Sequence, residues 1–354
     1  MAGNDDIALA EQAITRARAL GDTDSLQAAL NHLGMTQAAY GLSVDAATSF
    51  EEAAEAARIA HQRDGEAKAL ANAGAMLQQA QLLDEALIAT NDALRAFEDV
   101  NEPASEVRAL ANASVIHYAL GDKAEAGRRA EQGLEIARDV SDREMLVTLH
   151  AMLAELAEED ELPDVAHTHH LQAVAAARGL GNEAALAERL EKLGAQAINA
   201  GNAAAALPVY FEVQKLCRNL GDSAGSYRAS LQLGVVYQHQ EKWAEARASL
   251  EEARVMCRAL GDETTQPFID ATLANVLLGQ GDATAALGIA TAAVTGYRST
   301  GDAVGLGRSL STLGRVHENL GSASESTSAW NEALQILEPI DPEGADGVKE
   351  LLGV

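Results

Sequence analysis

The sequence predicts an all-α fold, an α-solenoid of about eight helix-turn-helix repeats. Three observations predict it: a fixed 40-residue period, three columns of small residues, and apolar content supplied by Ala and Leu rather than by aromatics. The period runs without insertion or deletion from Asp22 to Pro342. Stepping by 40 from Gly34 gives Gly74, Ser114, Ala154, Gly194, Gly234, Ala274 and Gly314. Twelve residues later, Ala46, Ala86, Ala126, Ala166, Ala206, Ala246, Ala286 and Ser326 form a second column. Seven further on, Ala53, Ala93, Gly133, Ala173, Val213, Ala253, Ala293 and Ala333 form a third. Two antiparallel helices need small residues where their backbones approach most closely, because a longer side chain forces them apart. With 354 residues, 47% hydrophobic and 3% aromatic, the chain has ample apolar surface to bury. A solenoid of nearest-neighbour contacts has no reason to split at that length. One solenoid domain over residues 1–354 is therefore expected: an N-terminal helix over 5–20, eight repeats over 22–341 and a C-terminal capping helix over 343–352.

Each element follows from its punctuation. The segment from Asp5 to Leu20 carries only the second-helix columns, with Ala13 in the third, and reads as a half-repeat capping one end. In each repeat, helix A starts at an N-cap (Asp22, Asp142, Asn182, Asp222, Asp262 or Asp302) whose side-chain oxygen satisfies free amides of the first turn. It runs about 18 residues, a common span for a core-facing helix. A short turn follows, as in Gly121-Asp122, Gly201-Asn202 and Gly281-Asp282, with Gly supplying a left-handed residue. Helix B closes on an ending such as Arg218-Asn-Leu-Gly-Asp222, where Arg faces the negative helix end and Gly caps it. Arg18, Arg58, Arg138, Arg178, Arg218, Arg258 and Arg298 share that place and read as structural. The prolines respect the boundaries: Pro103, Pro208 and Pro267 fall in opening turns, Pro163 in a turn, and Pro339 and Pro342 bracket the last boundary. Glu343 to Leu352 is the short closing helix.

Charge narrows the partners. Lys and Arg number 26 against 53 Asp and Glu, a net of −27, so the field of the chain repels nucleic acid and anionic membranes and steers cations in. A salt-rich cytoplasm is the other source of such acidity. The start, MAGNDDIALAEQ, lacks a basic segment followed by an apolar run, and no stretch approaches the ~18 apolar residues of a membrane span. A cytoplasmic protein is expected. Cys217 and Cys257 stand one repeat apart in a column otherwise holding Ala17, Ala57, Ala137 and Ala177. That is a core position, and a repeat width exceeds the ~5–6 Å Cα spacing of a disulfide.

Two helices per repeat, with Gly, Ala and Ala columns spaced 12 and 7 apart, resemble the tetratricopeptide repeat, here lengthened from 34 to 40 residues. With its Leu-Gly-Asp or Leu-Gly-Asn ending, the repeat is most similar to those of the LGN/Pins spindle-orientation adaptors and of bacterial 40-residue arrays. The resemblance covers nearly the whole chain and implies a right-handed superhelix. The chain departs from the family in its few intra-repeat aromatics: Phe50, Tyr237 and Trp330 remain, but Ala157, Ala197 and Ala290 stand elsewhere.

The resemblance also implies that helix A faces line a concave groove, through residues six before, three before, one after and four after the Gly column. The first of these columns reads Ala28, Lys68, Arg108, Thr148, Glu188, Arg228, Phe268 and Arg308. In LGN/Pins repeats, arginines at the matching place contact acidic residues of an extended peptide. Lys68, Arg108, Arg228 and Arg308 are thereby the first ligand-contact candidates, since guanidinium forks pair with carboxylates bidentately. Pairing with a carboxylate of a neighbouring helix is the competing reading. Asn31, Val115, Tyr118, Val235, Gln238, Asn275 and Arg315 add amide, apolar and cationic contacts, whereas Glu155, Glu158, Glu188, Glu191 and Glu318 make the middle acidic. A peptide with acidic or mixed-charge residues fits such a lining. Asn72 and Asn112, two before the Gly column, either clamp a peptide backbone or pack between repeats.

Catalytic chemistry is not advertised. His167, His169 and His170 lie near each other in one helix B, with His150 on the partner helix, and a metal site using His150, His167, His170 and Asp164 is conceivable. No Cys lies nearby and no HExxH occurs, so packed or solvated histidines are the expectation and no metal or cofactor is assigned. Asp270 falls in the contact column of Leu30, Leu70 and Leu310. A rotation of the seventh repeat by Pro267 is expected to bring it to water, a buried carboxylate being the alternative. The acidic run Glu155 to Asp164 reads as a solvated turn or a docking patch for a basic partner. No phosphate loop, nucleophile elbow or Cys-His dyad is visible, so no enzyme is expected. The expected function is a non-catalytic adaptor or scaffold binding a protein or extended peptide in the groove. A ligand- or peptide-sensing regulator acting on a partner output protein is the alternative, and no appended output domain is visible in the chain. Self-assembly into a homo-oligomer is a third reading.

Overall fold

The computed structural model describes residues 2–353, with side chains from residue 5; Met1 and Val354 of the expected 1–354 span lie outside the described residues. The chain folds as two compact bodies, Met1–Gly181 and Asn182–Val354. The first holds α1 (Ala2–Leu20), α2 (Thr23–Ala39), α3 (Ser43–Ile59), α4 (Arg63–Gln79), α5 (Leu83–Val100), α6 (Pro103–Ala119), α7 (Lys123–Asp139), α8 (Arg143–Glu159) and α9 (Pro163–Leu180). The second holds α10 (Glu183–Asn199), α11 (Ala203–Leu220), α12 (Ser223–His239), α13 (Trp243–Leu260), α14 (Gln266–Gly279), α15 (Ala283–Thr300), α16 (Ala303–Asn319), α17 (Ala323–Leu337) and α18 (Pro342–Leu352). No strand occurs among the described residues. Even-numbered helices up to α16 are helices A and odd-numbered ones from α3 are helices B, so the chain is an all-α solenoid of helical hairpins.

Helix α1 begins at Ala2, with Asp5 the expected start, and α18 at Pro342, with Glu343 the expected start. Pro163, expected in a turn, is the first residue of α9, where its missing N–H costs nothing. Asp22, Asp142, Asn182, Asp222 and Asp302 each accept backbone N–H bonds from the first turn of the helix that follows. Asp262 differs. Its carboxylate takes the amides of Thr264 and Thr265 at 3.1 and 2.9 Å, and the helix starts only afterwards, at Gln266. Helix α14 is thereby 14 residues long, against 17 for the other helices A.

The small columns do what their spacing requires. Ala46, Ala86, Ala126, Ala206, Ala246 and Ala286 are fully buried, as are Ala53, Ala93, Ala173, Ala253, Ala293 and Ala333. The Gly column receives the bulk of the residue sixteen positions later on helix B. A Cβ on Gly34 would come within 2.9 Å of Phe50, on Gly194 within 2.8 Å of Tyr210, and on Gly234 within 2.5 Å of Leu250. Where the small residue is Ala274, the opposing residue shrinks to a buried Ala290. Ala157 and Ala197, standing where the family carries aromatics, are buried too.

One turn residue in every twenty is left-handed, from Gly21 to Gly321. Gly holds φ between 64° and 82° at most of these, but His61, Gln81, Asn101, Ser141, Glu161 and Glu241 adopt φ of 55–62° in the same place. The helix-to-helix reversal dictates this conformation even where a side chain makes it about 1–2 kcal/mol less favourable.

Candidate functional site

Successive helices A pack on one another, α2 on α4, α4 on α6 and α6 on α8 in the first body, and α12 on α14 and α14 on α16 in the second. Each body therefore presents its own layer of helix A faces. In the first body, Lys68 on α4 binds Asp64 one turn earlier at 2.8 Å, a bond that raises its pKa above the ordinary lysine value. Arg108 on α6 is exposed and forms no ion pair among the described residues. Tyr118, at the end of α6, donates its hydroxyl to Glu159 of α8, and the bond lifts the phenol pKa. Lys123 reaches the same carboxylate at 2.6 Å. Asn31 on α2 is half-buried, and its amide oxygen has no hydrogen-bond partner within the protein. Asn72 is exposed.

In the second body, Arg228 on α12 lies 3.5 Å from Glu191 on α10. Burial pushes the Glu191 pKa up, against the opposing pull of Arg228. Arg308 on α16 binds Asp341, the N-cap of α18, at 2.8 Å, and its own pKa rises with that hydrogen bond. Asn275 on α14 accepts from the Thr312 hydroxyl at 3.1 Å and so joins two helices A. Gln238 is half-buried, Arg315 is exposed without an ion pair among the described residues, and Phe268 holds its ring in the open. Among the four basic candidates, Lys68, Arg228 and Arg308 thus have carboxylate partners at exposed sites, and Arg108 has none. Such exposed pairs contribute about 0–1 kcal/mol and exchange readily for a ligand carboxylate.

The histidines separate into two contacts. His150 is 4% exposed and its Nδ1 lies 3.0 Å from Nδ1 of His169, with ring centroids 5.3 Å apart. Burial, with His169 and Arg138 adding like charge, drives the His150 pKa down to about 4. His170, also buried, bonds Glu158 at 2.9 Å, an orienting carboxylate that the sequence did not reveal. His167 is half-buried and Asp164 exposed. The conceivable set of His150, His167, His170 and Asp164 is therefore not gathered at one point, and among the described residues no three His, Cys, Asp or Glu are placed to hold a metal ion.

Asp270 corrects an expectation. Rather than meeting water, it is 2% exposed, with Oδ1 on Arg254 Nε at 2.5 Å and Oδ2 3.7 Å from Arg258. The late start of α14 leaves the helix in register, so position 270 still points into the seam between α13 and α14. Its column hid the answer, but the facing column held a signal: Leu94, Leu134 and Val174 give way to Arg254. The same exchange occurs one repeat earlier, where buried Gln214 donates to Ser230 at 2.7 Å. Both cysteines are free and buried, as their column implies. No helix among the described residues is long and apolar enough to cross a membrane.

A family model described as anaphase-promoting complex subunit 5 matches residues 6–80, 95–160 and 199–279, well over half of the chain. The match falls in three blocks of about two repeats each, so it reads the hairpin repeat itself. No curated protein matches the chain in sequence. Among solved structures, a signal transduction ATPase with numerous domains and a tetratricopeptide repeat sensor, from Pyrococcus horikoshii, is similar at 13% identity and TM-score 0.69, over 98% of this chain and 55% of that one. The chain thus spans about half the length of that protein. The apo form of RapI is similar at 13% identity and TM-score 0.54, over 77% of this chain and 97% of that one. The apo quorum sensor NprR from B. thuringiensis is similar at 12% identity and TM-score 0.51, over 94% of this chain and 83% of that one. At such identities the likeness shows the fold, an all-α tetratricopeptide-repeat solenoid.

Proposed function

The chain belongs to the family described as anaphase-promoting complex subunit 5, whose repeats are of the tetratricopeptide kind, and on that premise we propose that it is a non-catalytic adaptor whose helix A faces bind a protein or extended peptide. The observation that carries the reading is the placement of cations in an acid-dominated chain. Arg108 in the first body and Arg315 in the second are exposed on helix A without an internal ion pair among the described residues, although acidic residues outnumber basic ones 53 to 26. Lys68, Arg228 and Arg308 supplement them, held in exposed pairs that a ligand carboxylate displaces at little cost. Asn31, Tyr118, Gln238 and Asn275 supply amide and hydroxyl contacts for a peptide backbone. Glu155, Glu188 and Glu191 favour a ligand that alternates in sign over one that is uniformly acidic.

The test is capture of partners from the native lysate on wild type and on a Lys68→Glu, Arg108→Glu, Arg228→Glu, Arg308→Glu variant shown by circular dichroism to be folded. A partner held by wild type and lost by the variant supports the reading; equal retention removes the basic column from it. A sensing role is the second reading, favoured by neighbours described as a repeat sensor and a quorum sensor. A ligand-dependent change in which partner is captured distinguishes it from a plain adaptor.

A further inference from the structure

Several of the arginines that end helices B reach a glutamate on the next one, whereas Arg138 and Arg258 meet Gln172 and Ala292 in that place. Arg18 of α1 binds Glu52 of α3 at 2.7 Å, Arg218 of α11 binds Glu252 of α13 at 2.5 Å, and Arg298 of α15 binds Glu332 of α17 at 2.5 Å. In each pair the glutamate lies 34 residues downstream, on the next helix B. For Arg258 at the end of α13, that place on α15 is Ala292. Arg258 makes no hydrogen bond among the described residues. Its nearest carboxylate oxygen is Oδ2 of Asp270, 3.7 Å away, on a carboxylate whose Oδ1 is taken by Arg254, and its side chain is 51% exposed.

The truncation at Ala292 and the late start of α14 leave a cleft of about 410 Å³ between α13, α14 and α15. Arg258, Glu263, Gln266, Pro267, Ala292 and Gly296 line it. Both amide atoms of Gln266 are buried without a partner in the protein. A buried amide so placed lacks the hydrogen bonds that water would give it, and a ligand that supplies them is bound the more tightly. The carboxylate of Asp262 is occupied by Tyr227 and two backbone amides, whereas Glu263 is exposed.

The equivalent cleft 200 residues earlier, between α3, α4 and α5, shows what an internally satisfied version looks like. There Arg63 binds both Glu66 and Asp99, at 2.8 and 2.7 Å, Arg95 binds Asp92 at 2.9 Å, and Arg58 binds Glu55. At the later cleft, Arg63 is replaced by Glu263, Glu66 by Gln266 and Asp92 by Ala292, so a cation held only at 3.7 Å by Asp270, an unpaired amide and the exposed carboxylate of Glu263 line one space. Departures from a repeat's own rule, without an internal compensation, mark functional sites.

We propose that this cleft binds a small zwitterion, an amino acid or dipeptide, whose carboxylate takes the place of the missing glutamate beside Arg258. Its ammonium group lies toward Glu263, and a peptide amide, where the ligand has one, pairs with Gln266. The volume suits a ligand of that size.

The test is calorimetric titration of the full chain with L-alanyl-L-alanine, its C-terminal amide and free L-alanine. Saturable binding of the dipeptide with a Kd on the order of 1 mM or tighter is expected, weakened at least about tenfold by amidation. Binding is lost in Ala292→Glu, which supplies the carboxylate internally as Glu52, Glu252 and Glu332 do and should fold at least as stably as wild type. Arg258→Gln loses it as well, while Arg298→Gln, where Glu332 completes the pair, keeps it. Free alanine binding as well as the dipeptide assigns the site to amino acids; weaker binding of alanine assigns it to peptides through Gln266. Unchanged binding in Ala292→Glu, equal binding of the amide, or no heat with any of the three at about 10 mM overturns the proposal.

Discussion

Arg254 on α13 and Asp270 on α14 meet at 2.5 Å in a seam where the equivalent Leu94 and Leu110 share one apolar cluster. Desolvating both charges offsets most of their attraction, so the pair stabilises the seam little compared with leucines of similar volume. Removing one partner is another matter. Arg254→Leu alone leaves a buried carboxylate with only Arg258, 3.7 Å away, and should lower the unfolding free energy by about 3 kcal/mol. The double variant Arg254→Leu, Asp270→Leu restores the repeat's own pattern and should return to within about 1 kcal/mol of wild type or exceed it. Urea denaturation of the two variants checks this.

Gly314 opposes Trp330, and a Cβ there would collide with the indole, whose Nε1 donates to the Ser311 carbonyl at 3.1 Å. Gly→Ala within a helix gains about 1 kcal/mol of propensity. Overpacking costs about 1–3 kcal/mol, and the indole hydrogen bond is put at risk besides. The clash should prevail, so Gly314→Ala is expected to lower Tm. Differential scanning calorimetry gives the sign directly.

His150 sits where Leu30, Leu70, Leu110, Leu190 and Leu310 sit in other repeats. Its folded pKa of about 4 lies below the ordinary value near 6.5, because burial and the neighbouring His169 and Arg138 oppose its charge. The unfolded state therefore binds the extra proton between those values. The stability that neutral His150 contributes is present above pH 6.5 and is lost as pH falls toward 4. Tm should drop by several degrees over that window through this residue, about 2–4 °C for each kcal/mol, and the slope should flatten in His150→Leu.

Cys217 and Cys257 have thiol pKa values pushed to about 11, first by burial and then by Asp222 and Asp262 respectively. Cys257 also donates to the Asp262 carbonyl at 3.3 Å. At pH 8 the thiolate fraction is then lower than in the unfolded chain by a factor of about 100, and reaction with Ellman's reagent should slow at least as much. Two thiols titrating promptly in guanidinium and neither in buffer is the expected record.

Features repeated by steric need were legible in the residues alone. The Gly34 and Ala46 columns, the Asp caps and the buried cysteine column each answer a constraint that recurs every 40 residues, so one sequence carries several readings of it. Features arising once were not. Nothing in the column of Lys68 says that Asp64, on the same helix, holds it, and His150 meets His169 only because α8 and α9 fold against each other. Asp270 was misread for a related reason: its burial depends on Arg254, sixteen residues earlier, and only the paired departure of two columns shows it. Arg258 was grouped with its structural counterparts because the arginine column is uniform there; the difference lies 34 residues away, at Ala292.

The left-handed turn that returns every twenty residues, whether built on Gly121 or on Glu161, also bears on how such a gene changes. An in-frame duplication or loss of forty codons that begins and ends at a turn carries a complete hairpin with its cap and its exit conformation. No junction has to be re-evolved. Heredity can thus add or delete whole hairpins, while point mutation is left to rewrite single positions such as Ala292, and the two processes vary length and specificity independently.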